Sequence, residues 1–307
     1  DLHELRELVN VTDASWAHLV GWLVAAYFPS LPHPVLSLHG EMGTGKTTAA
    51  ANLVSLVDPS PAPLRTAPRD VDSWAIAAAG SWVVGLDNIS GIAPWLSDAL
   101  CRAVTGDGMV RRQLYTDGDL VVLKFRRCVI LTAIDAGAMR GDLADRLVRV
   151  GLERIAPSDR RTDAEVAERL ADAAPRIFGA LLDIVAQVLE VLPTVELDTM
   201  PRMADYARVL AAIDQVTGLD CLQRYLALGT ELMADVVDDD PVATAVRALT
   251  ERKGGRWSGT AGDLYDAITP ERPQKGWPAS PRSLAAAVRS ASTALCLLSG
   301  WFLLNHC

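Results

Sequence analysis

Apolar and polar positions fall into three stretches of different rhythm along the chain. From Val35 to Ile155, short apolar runs alternate with helical patterns. Val35-Leu36-Ser37-Leu38, Trp82-Val83-Val84-Gly85-Leu86-Asp87 and Cys128-Val129-Ile130-Leu131-Thr132 read as buried strands, and Thr48 to Val57, rich in Ala and Leu, reads as a helix. That alternation predicts an α/β core with a parallel sheet. After Pro157 the pattern is helical only, over Thr162–Ala173, Pro175–Leu192, Pro201–Val216 and Leu219–Val237, each opened by a cap or a first-turn proline. An N-terminal helical segment ends at the joint Pro29-Ser30-Leu31-Pro32-His33-Pro34, and Asp238-Asp239-Asp240-Pro241 reads as a linker. Beyond it come a helix near Ala243–Arg252, a second after Trp257-Ser258-Gly259-Thr260, a Pro-rich turn from Thr269 to Pro281, and a third from Ser283. Helix, helix, loop and helix are compatible with a winged-helix module. The predicted organisation is an N-terminal segment (1–33), an α/β core (34–156), a helical lid (157–237) and a small winged-helix-like domain (241–307).

The segment between the first strand and its helix carries chemistry. Gly40-Glu41-Met42-Gly43-Thr44-Gly45-Lys46-Thr47 matches the phosphate-loop pattern G-x-x-x-x-G-K-[ST] at every fixed position. Glycines let such a loop aim backbone N–H groups inward, and the helix N-terminus behind it favours negative charge. The expectation is ATP or GTP held by residues Gly40 to Thr48, with Lys46 on the β- and γ-phosphates and the Thr47 hydroxyl on Mg2+. A second acid on a neighbouring strand is needed for the metal, and Asp87 fits; its alternative is a helix cap before Ser90. Asn88 follows, where hydrolysing relatives carry a carboxylate. An amide can position a water but cannot accept its proton at neutral pH, so either turnover is slow or an acid such as Asp98 serves. Thr132 ends its strand where open α/β sheets face the ligand crevice, so its hydroxyl either meets the γ-phosphate or attacking water, or simply ends the strand. Arg146, within Asp142-Leu143-Ala144-Asp145-Arg146, either reaches a nucleotide in a neighbouring subunit or pairs with Asp142 along a helix face.

Composition narrows the classes. The 307 residues are half apolar, so the chain is globular and not disordered. A formal net charge of -9 argues against non-specific coating of nucleic acid, so any such contact needs a local basic face. Cys101, Cys128, Cys221, Cys296 and Cys307 show no C-x-x-C spacing, which suits a reducing cytosol and no metal cluster. The apolar run Trp16 to Phe28 is 13 residues, too short to cross a bilayer, and Arg289 and several serines interrupt Leu284 to Leu304. Both read as core helices, and a cytoplasmic protein with no membrane partner is expected. The chain does not open on Met, and its first residues read as mid-protein, so a longer polypeptide is expected.

The order of motifs resembles AAA+ ATPases with a helical lid: GEMGTGKT at Gly40–Thr47, VVGLDN at Val83–Asn88, VILT at Val129–Thr132 and DLADR at Asp142–Arg146. More narrowly, DNISGIAPWLSDALCRAVTG from Asp87, RRQLYTDGD at Arg111–Asp119 and RMADYA at Arg202–Ala207 resemble the ATPase modules of actinobacterial phage and mobile-element primase–helicases, which are superfamily 3-like. The resemblance covers Val35 to Val237 and extends more weakly to Arg289. It implies an arginine finger at Arg146, a sensor-2 arginine at Arg202 that folds onto the γ-phosphate as the lid closes, and a homo-oligomer in the form of a hexameric ring. Three features depart from the family. Thr132 stands where the sensor strand usually ends in Asn, Asn88 replaces the second acid, and the apolar Leu297–Cys307 is unlike a polar wing.

Asp117-Gly118, flanked by alternating apolar residues, signals a hairpin between the helix after Asp87 and the Thr132 strand. By resemblance it is the hairpin that such helicases project into a central channel. Arg111, Arg112, Lys124, Arg126 and Arg127 make its shaft basic and suited to phosphate, whereas the tip Asp117-Gly118-Asp119 repels phosphate. The alternative is an exposed ribbon whose charges blunt a sheet edge. DNA, single-stranded, is the partner expected at Arg111, Arg112 and Lys124 and at the C-terminal domain. The readings are an ATP-driven DNA motor, a nucleotide-gated initiator or loader with little turnover, and a small-molecule kinase, against which the long lid and terminal module argue.

Overall fold

The computed structural model describes residues 2–112, 120–133, 141–274 and 276–299. In chain order these form α1 (Leu2–Leu8), α2 (Trp16–Ala25), β1 (Val35–His39), α3 (Lys46–Val57), β2 (Leu64–Arg65), α4 (Val71–Ala79) and β3 (Val83–Leu86). Then come α5 (Pro94–Thr105), β4 (Asp107–Arg112), β5 (Leu120–Phe125), β6 (Cys128–Ala133), α6 (Gly141–Ala144) and β7 (Leu147–Gly151). Helices α7 (Asp163–Val191), α8 (Ala204–Thr217), α9 (Cys221–Asp239), α10 (Pro241–Arg252), α11 (Ala261–Ile268) and α12 (Pro281–Ser299) complete the chain. The described residues divide into two compact units, one holding 2–133 and 146–226, the other 141–145 and 227–299.

The first unit is built on a five-stranded parallel sheet in the order β2-β3-β6-β1-β7. Every residue of β3 and β6 is buried, as are the first four of β1. Burial on both faces is why these strands are continuous apolar runs and not alternating ones. The ladders pair Leu38 with Thr132 and Val150, and Leu86 with Leu131, so the C-terminal ends of β1, β3 and β6 share one edge. Three aromatic polar ends find carbonyl partners as the chain returns. The Trp22 indole donates to the Pro34 carbonyl at 2.8 Å, the Trp82 indole to Ala26 at 2.9 Å and the Tyr27 hydroxyl to Leu56 at 2.6 Å. The Asp58 carboxylate accepts the Trp82 and Val83 N–H groups at 2.7 and 3.0 Å, which opens β3. Gly85 is required where β2 crosses: a Cβ there would lie 2.7 Å from the Pro63 carbonyl oxygen and 2.6 Å from the Leu64 side chain.

The sequence predicts a helix break at Pro175, yet α7 runs through it for 29 residues. Its start is firm: Thr162 and Glu165 form a reciprocal capping box. Beyond the proline, Ile177, Leu181, Ile184 and Val188 keep one stripe buried. The cost of an interior proline, about 3 kcal/mol, is offset by that stripe, at about 1.5–3 kcal/mol per fully buried side chain. Among the described residues one helical stretch, Asp163–Thr194, is long and apolar enough by length and composition to cross a membrane; Asp183 and Glu190 lie exposed on it.

The second unit is helical. Asp240 caps α10 by accepting the N–H groups of Val242 and Ala243 at 2.8 and 3.1 Å, with Pro241 at the first helical position. The expected linker Asp238–Pro241 is thus a tight joint between α9 and α10, closed further by the Thr244 hydroxyl on the Val237 carbonyl at 2.8 Å. A second capping box, Thr260 with Asp263, starts α11. Val246, Leu249, Leu264, Leu284 and Val288 are buried among α10, α11 and α12. The described residues of this unit include the three expected helices and no strand, and most of Leu297–Cys307 lies outside them.

His33 is fully buried in the first unit, edge-on to Trp82, with Nε2–H donating to the Ala25 carbonyl at 2.9 Å. Burial, and after it the Arg126 charge, lowers its pKa from 6.5 to about 4. Between those values the unfolded chain takes up a proton that the folded chain refuses, so stability falls as pH falls. From pH 6.5 to 4, urea unfolding of the native chain should lose up to about 3 kcal/mol more than His33→Phe over the same range.

Candidate functional site

The turn from β1 into α3 has the backbone that its glycines permit. Gly40, Gly43 and Gly45 have φ of 154°, 86° and 75°, all in the region that side chains disfavour. Gly40 also has no room, since a Cβ would sit 2.9 Å from the Leu152 carbonyl oxygen. The loop is braced internally by the Thr44 hydroxyl on the Glu41 carbonyl at 3.0 Å. The Lys46 ammonium lies across it, donating to the carbonyls of Gly40 at 2.6 Å and Glu41 at 2.9 Å. Glu41, Met42, Gly43, Thr47 and Thr48 are exposed around this mouth, and Met42 is 82% exposed.

The start of α3 and the ends of β3 and β6 bring their side chains together here. The Thr47 hydroxyl, at the start of α3, donates to the Asp87 carboxylate, 3.0 and 3.2 Å from its two oxygens. Thr132 from β6 donates to Asp87 Oδ1 at 2.5 Å and accepts the Asn88 backbone N–H at 2.8 Å. The sequence left the Thr132 hydroxyl either meeting the γ-phosphate or a water, or simply ending the strand; in the fold it is 2% exposed and occupied on both sides. Its role in this arrangement is to hold Asp87 and the turn behind it. Asn88 takes a left-handed φ of 56°, rare for a residue with a Cβ, with its side chain exposed. Asp87 is not a helix cap: α5 starts at Pro94 with Ala93 in the capping position. Thr47 and Asp87 are the side chains that could share a metal ion. His39, at the end of β1, has its pKa lowered by burial and then by the Arg149 and Lys46 charges.

Other expected residues lie elsewhere. Arg146 sits before β7, where its carbonyl accepts the Val35 N–H at 2.7 Å. That is the opposite end of the sheet from the loop, roughly 16 Å away at about 3.3 Å per strand residue. Arg202 is exposed in the turn before α8, and Asp98 is exposed on α5. β4 and β5 form the expected antiparallel ribbon, with Arg111 opposite Val121 and Arg112 opposite Leu120. Lys124 lies on β5, and the tip, 113–119, lies outside the described residues. Arg126 and Arg127 do not belong to the basic shaft. Arg126 donates to the carbonyls of Ser30 and Thr105, and Arg127 to that of Ala78 at 2.5 Å, so both pin the ribbon's base to the core.

One neighbour of the loop escaped the sequence reading. A guanidinium nitrogen of Arg160 lies 3.6 Å from where a Cβ on Gly43 would be. Pro157-Ser158-Asp159-Arg160 matches no motif, and only the path of the chain after β7 brings it there.

A parallel sheet in the order β2-β3-β6-β1-β7, with the glycine loop after β1 and Asp87 after β3, defines an α/β module. The family described as actinomycete integrative conjugative element replication protein matches residues 2–239, and its C-terminal domain matches 242–297, so the chain belongs to that family. The two matches meet at the Asp240 joint. Among solved structures, the chain resembles an active helicase, Cch of SCCmec type IV, at 14% identity over 83% of this chain and 52% of that one, TM-score 0.38. It resembles the C-terminal region of NrS-1 at 12% identity over 71% and 51%, TM-score 0.41. The JCV helicase with a bound acetamide compound matches at 13% identity over 70% and 67%, TM-score 0.34. The chain thus spans about half the length of the first two. No curated protein was found to match it.

Thr132→Val should strand the Asn88 N–H and remove a donor from Asp87, costing about 1–3 kcal/mol. Thr132→Ser, which keeps the hydroxyl, should cost less than half of that by the same urea titration.

Proposed function

We propose that this mobile-element replication protein is an ATP-binding, ATP-hydrolysing module of a DNA helicase, working in the cytoplasm as a homo-oligomeric ring. The observation that carries the reading is the convergence of Lys46, Thr47, Asp87 and Thr132 at the mouth of a glycine loop on a helix N-terminus. Backbone N–H groups and a lysine ammonium suit a polyphosphate, and a hydroxyl beside a carboxylate suits its magnesium. Mg2+, when bound, neutralises charge on the phosphates; Thr47 and Asp87 would hold it, with Thr132 keeping the carboxylate in place. Lys46 would exchange the Gly40 and Glu41 carbonyls for phosphate oxygens.

Arg146 is too far from its own loop to serve it, which supports action on a neighbouring subunit. Residues 157–237 act as the lid in this reading, with Arg202 reaching the phosphates when it closes. A second reading, an initiator or loader with little turnover, is favoured by one observation: Asn88 supplies no base, and its backbone is already tied to Thr132. DNA contact is assigned to Arg111, Arg112 and Lys124 of the ribbon and to the C-terminal domain. Within 241–299, eight Lys and Arg face four Asp and Glu, a balance of +4 in a chain of net charge -9. The exposed positions Arg282, Ser283, Ala286 and Arg289 of α12 carry no acid.

Steady-state ATPase assays with and without single-stranded DNA test the proposal. DNA-stimulated turnover supports the motor, tight ATP binding without turnover supports the initiator, and no ATP binding defeats both. Lys46→Ala should abolish binding by calorimetry. Arg146→Ala should leave ATP affinity within twofold while turnover falls roughly a thousandfold or more. The triple change Arg111→Ala, Arg112→Ala and Lys124→Ala should lower the salt slope of single-stranded DNA binding by about 2.

A further inference from the structure

We infer that Arg160 is a further cationic contact for the phosphate chain, beside Lys46 and at the loop of its own subunit; this rests on the nucleotide reading of Gly40–Thr47. Three observations carry it. The first is position: the guanidinium nitrogen stands 3.6 Å from the Cβ position of Gly43, at the outer turn of the loop. With no side chain on Gly43, nothing on that residue separates the guanidinium from the backbone.

The second is that the segment bearing Arg160 is fastened to the loop. The Ile155 N–H donates to the Gly43 carbonyl at 3.4 Å, and Ile155 Cδ1 lies 3.2 Å from the Cβ position of Gly45. Upstream, the Leu152 carbonyl oxygen is 2.9 Å from the Cβ position of Gly40. Residues 152–160 thus form a wall along the loop, and the wall ends in Arg160.

The third is charge. Arg160 is exposed, and its neighbour Asp159 is engaged by the Ser158 hydroxyl at 3.2 Å. Glu41 is the acid carried by the loop itself, and Lys46 is its cation. A guanidinium offers a planar fork to two phosphate oxygens, which an ammonium cannot. Two residues further on, Thr162 caps α7. A phosphate chain gripped by Arg160 therefore also takes hold of the root of the long helix, unlike one gripped by Lys46 alone. Arg146 lies at the far end of β7 and Arg202 in the turn before α8, whereas Arg160 already stands beside the loop.

The test uses the full chain, Arg160→Ala, Arg160→Gln and Arg160→Lys, with Mg-ATP titrated by calorimetry and inorganic tripolyphosphate competed against a fluorescent ATP analogue. Arg160→Ala and Arg160→Gln should weaken ATP and tripolyphosphate alike, by roughly tenfold to a hundredfold, the loss expected for a hydrogen bond to a charged group. Arg160→Lys should recover part of it, and unliganded melting should be unchanged because the side chain is exposed. Unchanged affinity for both ligands in the Ala and Gln variants overturns the inference while leaving the nucleotide reading intact. A loss for ATP with none for tripolyphosphate also overturns it, since the contact would then be to the nucleoside. A native chain that binds neither ligand defeats the nucleotide reading, and the inference falls with it.

Discussion

A single carboxylate, held by hydroxyls from two different elements, organises the site end of the sheet. Asp87 receives Thr47 from the helix after β1 and Thr132 from β6. Both donors reach it only because three parallel strands end level with one another. A slip of one residue between β3 and β6 would turn either Asp87 or Thr132 to the other face of the sheet. Thr132 is buried, so its bonds act in low dielectric and reward the correct register strongly. The apolar strands supply the energy of the sheet, and this polar bridge selects one alignment among those that apolar burial alone would tolerate.

The basic residues divide by local surroundings and not by total charge. Arg126 and Arg127 spend their donors on backbone carbonyls of the core, which makes them fasteners. Arg146 is placed at the far end of β7 from its own loop, and Arg160 beside it. In a chain of net charge -9, such placement decides what each cation can meet. Counting arginines in the hairpin region mixed two kinds of residue that only the hydrogen bonds separate.

Three strands of the sheet and the loop were legible because β1, β3 and β6 are short apolar runs bounded by turn residues, and because the glycine pattern has one mechanical reason. Asp87 was legible from its place after Val83–Leu86. Thr132 was placed in a buried strand, but the direction of its hydroxyl was left open: whether a strand-end hydroxyl points at solvent or at a neighbouring strand depends on ladder register, which a single sequence does not encode locally. Pro175 misled because local preference was weighed without the buried stripe that carries α7 past it. Arg160 was invisible for a related reason. Its proximity to Gly43 is created by the return of β7 beside β1, across more than a hundred residues of sequence.

The N-terminal segment has a consequence for handling the protein. β7 is an outer strand of the sheet, and its end is occupied by residues 10–15. Val11 bridges Leu152, Thr12 donates to the Gly151 carbonyl at 3.0 Å, Glu153 donates to that of Asn10 at 2.8 Å, and Gly151 donates to the Ser15 hydroxyl at 3.0 Å. Trimming the chain to start near Trp16 would bare these groups beside the loop and leave a sticky flank open to pairing between molecules. A shortened version made to isolate the α/β core would therefore trade a tidy boundary for self-association.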